Sequence, residues 1–449
     1  MEGEDVARAT VSGPDANPPA KISFGHLLAF ALPAGPSQAV DTPLSVYAPA
    51  FYASQAGLSL GLVGLLFSIA RIAEIPLGMA AGAVSDRWGG THRRKFWLAV
   101  AAPIMVAAVW ALFRPPATVS AAYLLGWLLV FTAGSALFWI NHAAWGAEVA
   151  SGYHGRTGMQ SARQAVSVTS TILVLVAPVV VERAGYSGFE AVRMSSVAWF
   201  VALTLPLSLA AALLWAPERP ARIAAARRNL QEAVQTLVGD RPLRLLLLAG
   251  LCDSIALGIV TSLFLFLASD AWGLGRLSSV MLLGYLICGV LCLGPIVRLA
   301  RTRSKHRTVA VIAILLALVL PTLLLVTPGA AGWAIAATAL LGAPSAINSA
   351  LFESMMGDVA DADAVRHGRA RTGLFYSLHL IVNRAGRGVA IAAGFSTLNW
   401  IGFHPHAANA PQVISAFKLL YVGAPAVLQL SIAALMWRYP LGRSTRPSS

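Results

Sequence analysis

The sequence predicts an all-α polytopic membrane protein of about twelve transmembrane helices, grouped as two pseudo-symmetric six-helix bundles. Three observations carry that expectation. Of 449 residues, 57% are hydrophobic and only 12% charged, and the mean hydropathy is +0.69. A soluble protein carries roughly 25% charged residues, so this chain is too poor in charge to cover a water-facing surface. The apolar runs are also long. No Asp, Glu, Lys or Arg lies between Asp41 and Arg71, between Arg114 and Glu148, or between Arg307 and Glu353. A spanning helix needs roughly 20 mostly apolar residues. Barrel strands would be shorter and would alternate in polarity, so helices are the solution that satisfies the backbone in lipid. The third observation is an internal echo. Glu148-Val149-Ala150 is followed by Arg156-Thr157-Gly158, and Asp358-Val359-Ala360 by Arg371-Thr372-Gly373, each after the fourth span of its half. Gly82 with Asp86 and Gly294 with Arg298 repeat more weakly after each second span.

Spans are expected near 24–53, 59–84, 96–114, 118–147, 163–182, 194–216, 245–268, 278–298, 309–327, 331–356, 373–396 and 412–437. Basic residues gather in alternate connections: Arg87, Arg93, Arg94 and Lys95; Arg156; Arg219 to Arg244; Arg301 to Arg307; Arg366 to Arg371. The opposite connections hold little beyond Arg114, Arg183 and Arg276. Lys and Arg mark the cytoplasmic side, so both termini are expected there, as in a bacterial inner membrane.

The expected organisation is a cytoplasmic tail over 1–22, a six-helix bundle over 23–216, a linker over 217–243, a second bundle over 244–438 and a tail over 439–449. A helix lying on the membrane surface is expected inside the linker, with Leu230, Val234 and Leu237 near one face. The net charge of +14 belongs to these short connections, so no nucleic-acid partner is expected. The partners are the lipid bilayer and a small molecule, with the chain monomeric. Cys252, Cys288 and Cys292 fall in apolar helices and read as small buried hydrophobes. With no phosphate-cradling Gly-rich loop and no Cys/His ligand spacing, neither ATP drive, metal, cofactor nor enzyme activity is expected.

A charge at mid-bilayer is costly unless paired or wet, so each one is a functional hypothesis. Arg71 and Glu74 share a face one turn apart. Burial favours the neutral acid and a nearby guanidinium favours the carboxylate, so moving Arg71 would switch a proton on Glu74. The alternative is a static ion pair. Arg384 and Arg387 lie one turn apart, near His379 and Asn383, and an Arg fork suits a carboxylate, sulfonate or phosphate. The alternative is pairing with buried acids such as Glu74. Asp41 sits in a first span broken by Pro33, Pro36 and Pro43. Such breaks are tolerated where a helix lines a cavity. Asp253 and Glu353 read as structural partners of loop arginines, and His142 as a hydrogen-bonded packing residue, with a proton relay as the alternative. Tyr376, at a helix end, has a ring able to stack on a planar solute. Asp86, Arg87, Asp358, Asp361, Arg369 and Arg371 lie at helix ends on the basic side. They read as a gating network that breaks when the protein opens inward.

Gly82-Ala-Val-Ser-Asp86-Arg87-Trp-Gly89, followed by Arg93 and Arg94, resembles the loop signature of the major facilitator superfamily. Gly57-Leu58-Ser59 through Ala70-Arg71-Ile72, and Asp358-Val-Ala-Asp361 followed by Arg371-Thr-Gly and Tyr376-Ser377, resemble its glycoside–pentoside–hexuronide cation symporters, the melibiose permease group. The resemblance implies two six-helix halves around a central cavity and alternating access. It implies cation-coupling roles for Arg71, Glu74 and Asn141, with Gly78 where the family has a further carboxylate. It implies substrate-binding roles for Gln38, Trp145 as an aromatic platform, Arg163 and Arg384, with Ser349 where the family has a Trp. The cationic positions are kept while most carboxylates are replaced.

The expected function is secondary transport of a small polar solute: a neutral glycoside, a sugar acid or another organic anion. The coupling ion is a proton or sodium. A proton needs one carboxylate, whereas sodium needs several oxygens, and Glu74 has only Asn141 beside it. Uncoupled transport, a lipid-like cargo, and a non-transporting assembly factor on the same fold stay open.

Overall fold

The computed structural model describes residues 23–88, 93–149, 152–184, 189–217, 240–302, 304–367 and 372–440. All its regular elements are helices. Nine are long and apolar enough to cross a membrane. They are α4 (Leu60–Arg87), α5 (Arg93–Phe113), α6 (Ala121–Val149), α7 (Gly152–Arg183), α8 (Phe189–Trp215), α9 (Arg241–Phe266), α10 (Ser278–Thr302), α11 (Lys305–Val319, extended by a 3-10 stretch to Leu325) and α14 (Pro411–Trp437). The first span, α12 (Ala331–His367) and α13 (Thr372–Trp400) complete the set. The last two carry the polar residues of the site, which lowers their apolarity.

Local chemistry sets the boundaries. Ser59 caps α4 by accepting from the Leu62 N–H at 3.4 Å, and Asp240 caps α9 by accepting from the Leu243 N–H at 3.0 Å. The first span is three pieces, α1 (Phe24–Ala31), α2 (Ala34–Ala39) and α3 (Asp41–Ser54). Pro33 stands at the first break, and Gln38 Nε2 bridges the second by donating to Asp41 Oδ2 at 2.9 Å. Two expected boundaries are corrected. α7 begins at Gly152 and α12 runs to His367, well beyond the apolar stretches, because helices continue into the polar interface where lipid no longer demands apolar residues. The tails, the linker core and its surface helix lie outside the described residues.

Each half packs within itself, α4 and α5 on α6 in the first, α10 on α12 and α9 on α13 and α14 in the second. The longest seam between halves runs along α4 and α13. It is close because small residues line it. A Cβ on Gly64 would stand 2.6 Å from Phe395 Cβ, and one on Gly388 would stand 3.3 Å from Ile72. Ser68 Oγ donates across the seam to the Gly388 carbonyl at 2.8 Å. Phe24 and Trp437, the first and last helical residues described, lie at the same end of the bundle, called here the terminal side; the opposite is the far side.

Candidate functional site

The α4–α13 seam brings together the charges that the sequence left scattered. Arg384 Nη1 lies 2.9 Å from Glu74 Oε2, while Arg71 Nη1 is 3.8 Å from the same oxygen. The nearer cation therefore comes from the other half. Arg71 instead donates to Ser45 Oγ at 2.8 Å, tying α4 to α3. Glu74 Oε2 is buried yet accepts no well-aligned hydrogen bond, so its contact with Arg384 is Coulombic. An under-bonded buried carboxylate is the kind of group a proton can neutralise at low cost. Arg387 shares the field of Arg384, Arg71, Asp41 and Glu74, so three cations face two carboxylates at the seam. The break between α2 and α3 puts Asp41 and its partner Gln38 at this cluster's edge.

Other candidates lie elsewhere. Asn141 is fully buried, and its Oδ1 accepts from Arg94 Nη1 at 3.1 Å while Nδ2 donates to the Leu137 carbonyl at 2.8 Å. Its amide thus serves Arg94, which also grips Glu148 at 2.9 Å. Trp145 has no exposed face: Nε1 donates to the Pro217 carbonyl at 2.9 Å, Phe30 meets its ring edge-on and the Lys95 ammonium stands 5.6 Å from its centroid. His142 is stacked on Phe30 and bonded to its carbonyl, a packing residue as expected. Arg163 lies over the Trp139 ring at 5.4 Å and faces Glu353 across the two halves. Glu353 therefore answers a membrane arginine instead of the expected loop arginine. Tyr376 is partly exposed and donates to the Glu353 carbonyl at 3.1 Å. Asp253 is also corrected: it is held by Asn348, whose Nδ2 donates at 3.0 Å. His379 and Asn383 bond each other, and Asn383 meets Ser254 of α9.

Of the gating set, Asp358 pairs with Lys305 at 2.6 Å inside the second half. Arg87 and Asp361 are exposed at helix ends. Arg369, Arg371 and the Asp86 side chain lie outside the described residues, as does the Ser349 side chain.

Sequence reasoning missed the most deeply buried ion pair among the described residues, on the far side. Glu182 of α7 and Arg193 of α8 form a 3.1 Å ion pair with side chains 0% and 2% exposed. Glu182 also accepts from the Ser279 N–H at 3.0 Å and its Oγ at 2.6 Å, both at the start of α10 in the other half. With its proton used on Glu182, Ser279 Oγ accepts from Tyr47 of α3 at 2.6 Å. The Arg193 guanidinium lies 4.5 Å from the Tyr47 ring centroid. Nearby, His406 of the second half approaches Glu190 of the first at 3.4 Å. The far side is therefore bolted across the halves. The signal in the sequence was faint: opposite charges eleven positions apart, flanking one short connection.

Two helical bundles with their charges gathered on the seam between them define the class, a polytopic membrane carrier. The chain belongs to the MFS/sugar transport protein family of the major facilitator superfamily, whose family model matches residues 29–443. Its fold is similar to that of the nucleoside transporter NupG, with TM-score 0.68 at 13% identity over 91% of this chain and 98% of that one. It is similar to the xylose transporter XylE from E. coli, with TM-score 0.60 at 15% identity over 94% and 96%. The E. coli fucose:proton symporter FucP gives TM-score 0.54 at 15% identity over 93% and 98%. No curated protein matched in sequence. The chain is an integral membrane secondary transporter and not an enzyme.

Proposed function

We propose that this transporter carries a small organic anion, such as a sugar acid, together with a proton held on Glu74. The observation that carries the reading is the cross-half contact of Glu74 with Arg384, 2.9 Å long and without hydrogen-bond alignment. A solute carboxylate entering the seam competes with Glu74 for Arg384 and Arg387, offering the paired oxygens that guanidinium groups favour. Glu74, relieved of its cation, is then free to take up a proton. Arg384 and Arg387, one turn apart at the seam, offer paired guanidinium groups, which favours an anionic solute over a neutral glycoside. Engagement of Asn141 by Arg94 removes the second oxygen that sodium would need beside Glu74, which supports a proton there.

Alternating access follows from rocking of the halves. The far side is closed by the Glu182–Arg193–Ser279 cluster; among the described residues of the terminal side, Arg94–Glu148 and Lys305–Asp358 pair within one half while Arg163 faces Glu353 across the halves. With the basic terminal side in the cytoplasm of a bacterial cell, this arrangement corresponds to closure toward the outside.

A thermal-shift screen of purified protein tests the solute class, since a ligand that binds the folded state raises its stability. Sugar acids or sulfonates should stabilise the wild type, and Arg384→Gln should weaken that binding by roughly 10- to 100-fold. Stabilisation by neutral sugars alone would contradict the anionic reading, and stabilisation by lysolipids alone would favour a lipid-like cargo.

A further inference from the structure

His406 takes no part in solute or proton binding as read above, yet it stands where the two halves meet on the far side. It belongs to the connection between α13 and α14 of the second half. Its Nε2 lies 3.4 Å from Oε1 of Glu190, in the first turn of α8 of the first half. Its Nδ1 lies 3.9 Å from Oδ1 of Asp270, in the π-helical turn Leu267–Ala271 that follows α9. The backbone that presents the ring is anchored. The His406 N–H donates to Asp270 Oδ1 at 2.6 Å. Asn409 clamps the same connection, accepting from the His404 N–H at 2.8 Å and donating to the Ala407 carbonyl at 3.1 Å. His406 has a φ of 55°, a left-handed conformation that residues other than glycine seldom adopt, and such residues cluster at switch regions.

Both ring nitrogens thus face a carboxylate. A neutral imidazole has one N–H and one lone pair, so it turns a lone pair toward one of the two acids. An imidazolium has two N–H groups and suits both. The two acids differ in role. Asp270 is 4% exposed, and its oxygens already accept from the His406 N–H and, at 2.6 Å, from Ser269 Oγ. Those neutral donors hold the connection to the second half whether or not the ring is charged. Glu190 belongs to the other half, so its attraction to the ring is what the ring's proton changes. The cavity beside the ring is also lined by Arg276 and by Arg193, which is paired with Glu182. Guanidinium groups do not lose their charge in proteins, so they set a constant background. His404, two positions earlier, is exposed.

We propose that His406 is a proton-operated latch between the halves. Protonated, it holds Glu190 and keeps the far side closed; neutral, it releases Glu190 and lets the far side part. A histidine changes charge between about pH 5 and 8. Protons reach it from the far side: the ring is 33% exposed and borders a cavity of about 410 Å³, many times the roughly 30 Å³ that a water occupies in the liquid. The closed state, which pairs the imidazolium, binds the proton more tightly than the open state. Acid therefore favours closure, and rising pH favours opening. The neighbouring Glu182–Arg193 pair is sealed from solvent and its cation is permanent, so it closes the far side without sensing pH. The latch needs no particular solute and no particular role for Glu74.

The experiment measures far-side opening in the full-length protein in lipid nanodiscs, by electron–electron resonance between two spin labels. Thr118→Cys in the first half and Thr327→Cys in the second carry the labels, both at exposed far-side connections, with Cys252, Cys288 and Cys292 replaced by alanine. Distances are compared at about pH 5.5 and about pH 8, on either side of histidine titration. With native His406, the ratio of long to short distances should rise about two- to fivefold from acid to alkali, as a partly exposed ion pair allows. His406→Asn tolerates the left-handed backbone and carries no charge, so it should show the alkaline ratio at both pH values. His406→Arg, always charged, should show the acid ratio at both. Glu190→Gln should match His406→Asn, and Glu74→Gln should keep the native shift. A ratio indifferent to pH with native His406, or a shift undiminished in His406→Asn, would overturn the latch. A shift lost in Glu74→Gln and kept in His406→Asn would place the sensor at the seam, overturning the latch while leaving the reading of Glu74 in place.

Discussion

Two of the charged clusters that join the halves among the described residues are built differently. On the far side, Glu182 is sealed from solvent and accepts from Arg193, from the Ser279 amide and from the Ser279 hydroxyl. At the seam, Glu74 is 17% and Arg384 27% exposed, and the shared Oε2 has no aligned donor. A buried carboxylate whose lone pairs are filled by fixed donors is held in place. One held by charge alone, with both partners partly exposed, can exchange its partner for a proton or a solute. The first arrangement suits a bolt that holds one state of the cycle, the second a switch that changes between states. Both use an acid from the first half, so the difference lies in the hydrogen bonds around it.

The contrast can be broken from the far side first. Removing one member of a fully buried pair costs about 3–5 kcal/mol, because it strands the other charge. Glu182→Gln should therefore lower thermal stability strongly, while Glu182→Met combined with Arg193→Met should recover most of the loss. Equal damage from the single and the double replacement would show that the cluster is more than a paired charge. A smaller effect is expected at the seam's backbone. Gly64→Ala would set its Cβ against Phe395, at a cost of about 1–3 kcal/mol for overpacking. It should slow transport by holding α4 off α13, read as a reduced turnover at unchanged solute affinity. The smallest effect is expected at Lys305, whose pair with Asp358 is 27% and 44% exposed and remains inside one half. Lys305→Ala should change stability by less than about 1 kcal/mol, and a large change would give the terminal side a bolt of its own.

Much of the fold was legible because lipid imposes a simple rule. Apolar runs such as 308–352 have to be helical spans. The helix ends were less legible, since Gly152–Ala162 and Gly357–His367 are polar and helical, outside the reach of that rule. At the site, the price of burying charge pointed to Arg71, Glu74, Arg384 and Arg387, and the structure gathers these four. Asn141 and Trp145 were singled out by resemblance alone, and in this structure their polar atoms are committed to Arg94 and to the Pro217 carbonyl. Glu182, Arg193 and Ser279 escaped notice because each sits at a span end, where a charge or hydroxyl is unremarkable. Their meeting depends on how three helices pack, which no local pattern records.

The central claim is that Glu74 carries the proton while Arg384 carries the anion. It is tested most directly in proteoliposomes, with a solute selected by thermal shift, by comparing proton-driven accumulation with solute-for-solute exchange. The account predicts that Glu74→Gln abolishes accumulation against a gradient but keeps exchange, because a permanently neutral side chain mimics the protonated carrier. Arg384→Gln should lose both. Accumulation that persists in Glu74→Gln, at the wild-type dependence on the pH gradient, would contradict it.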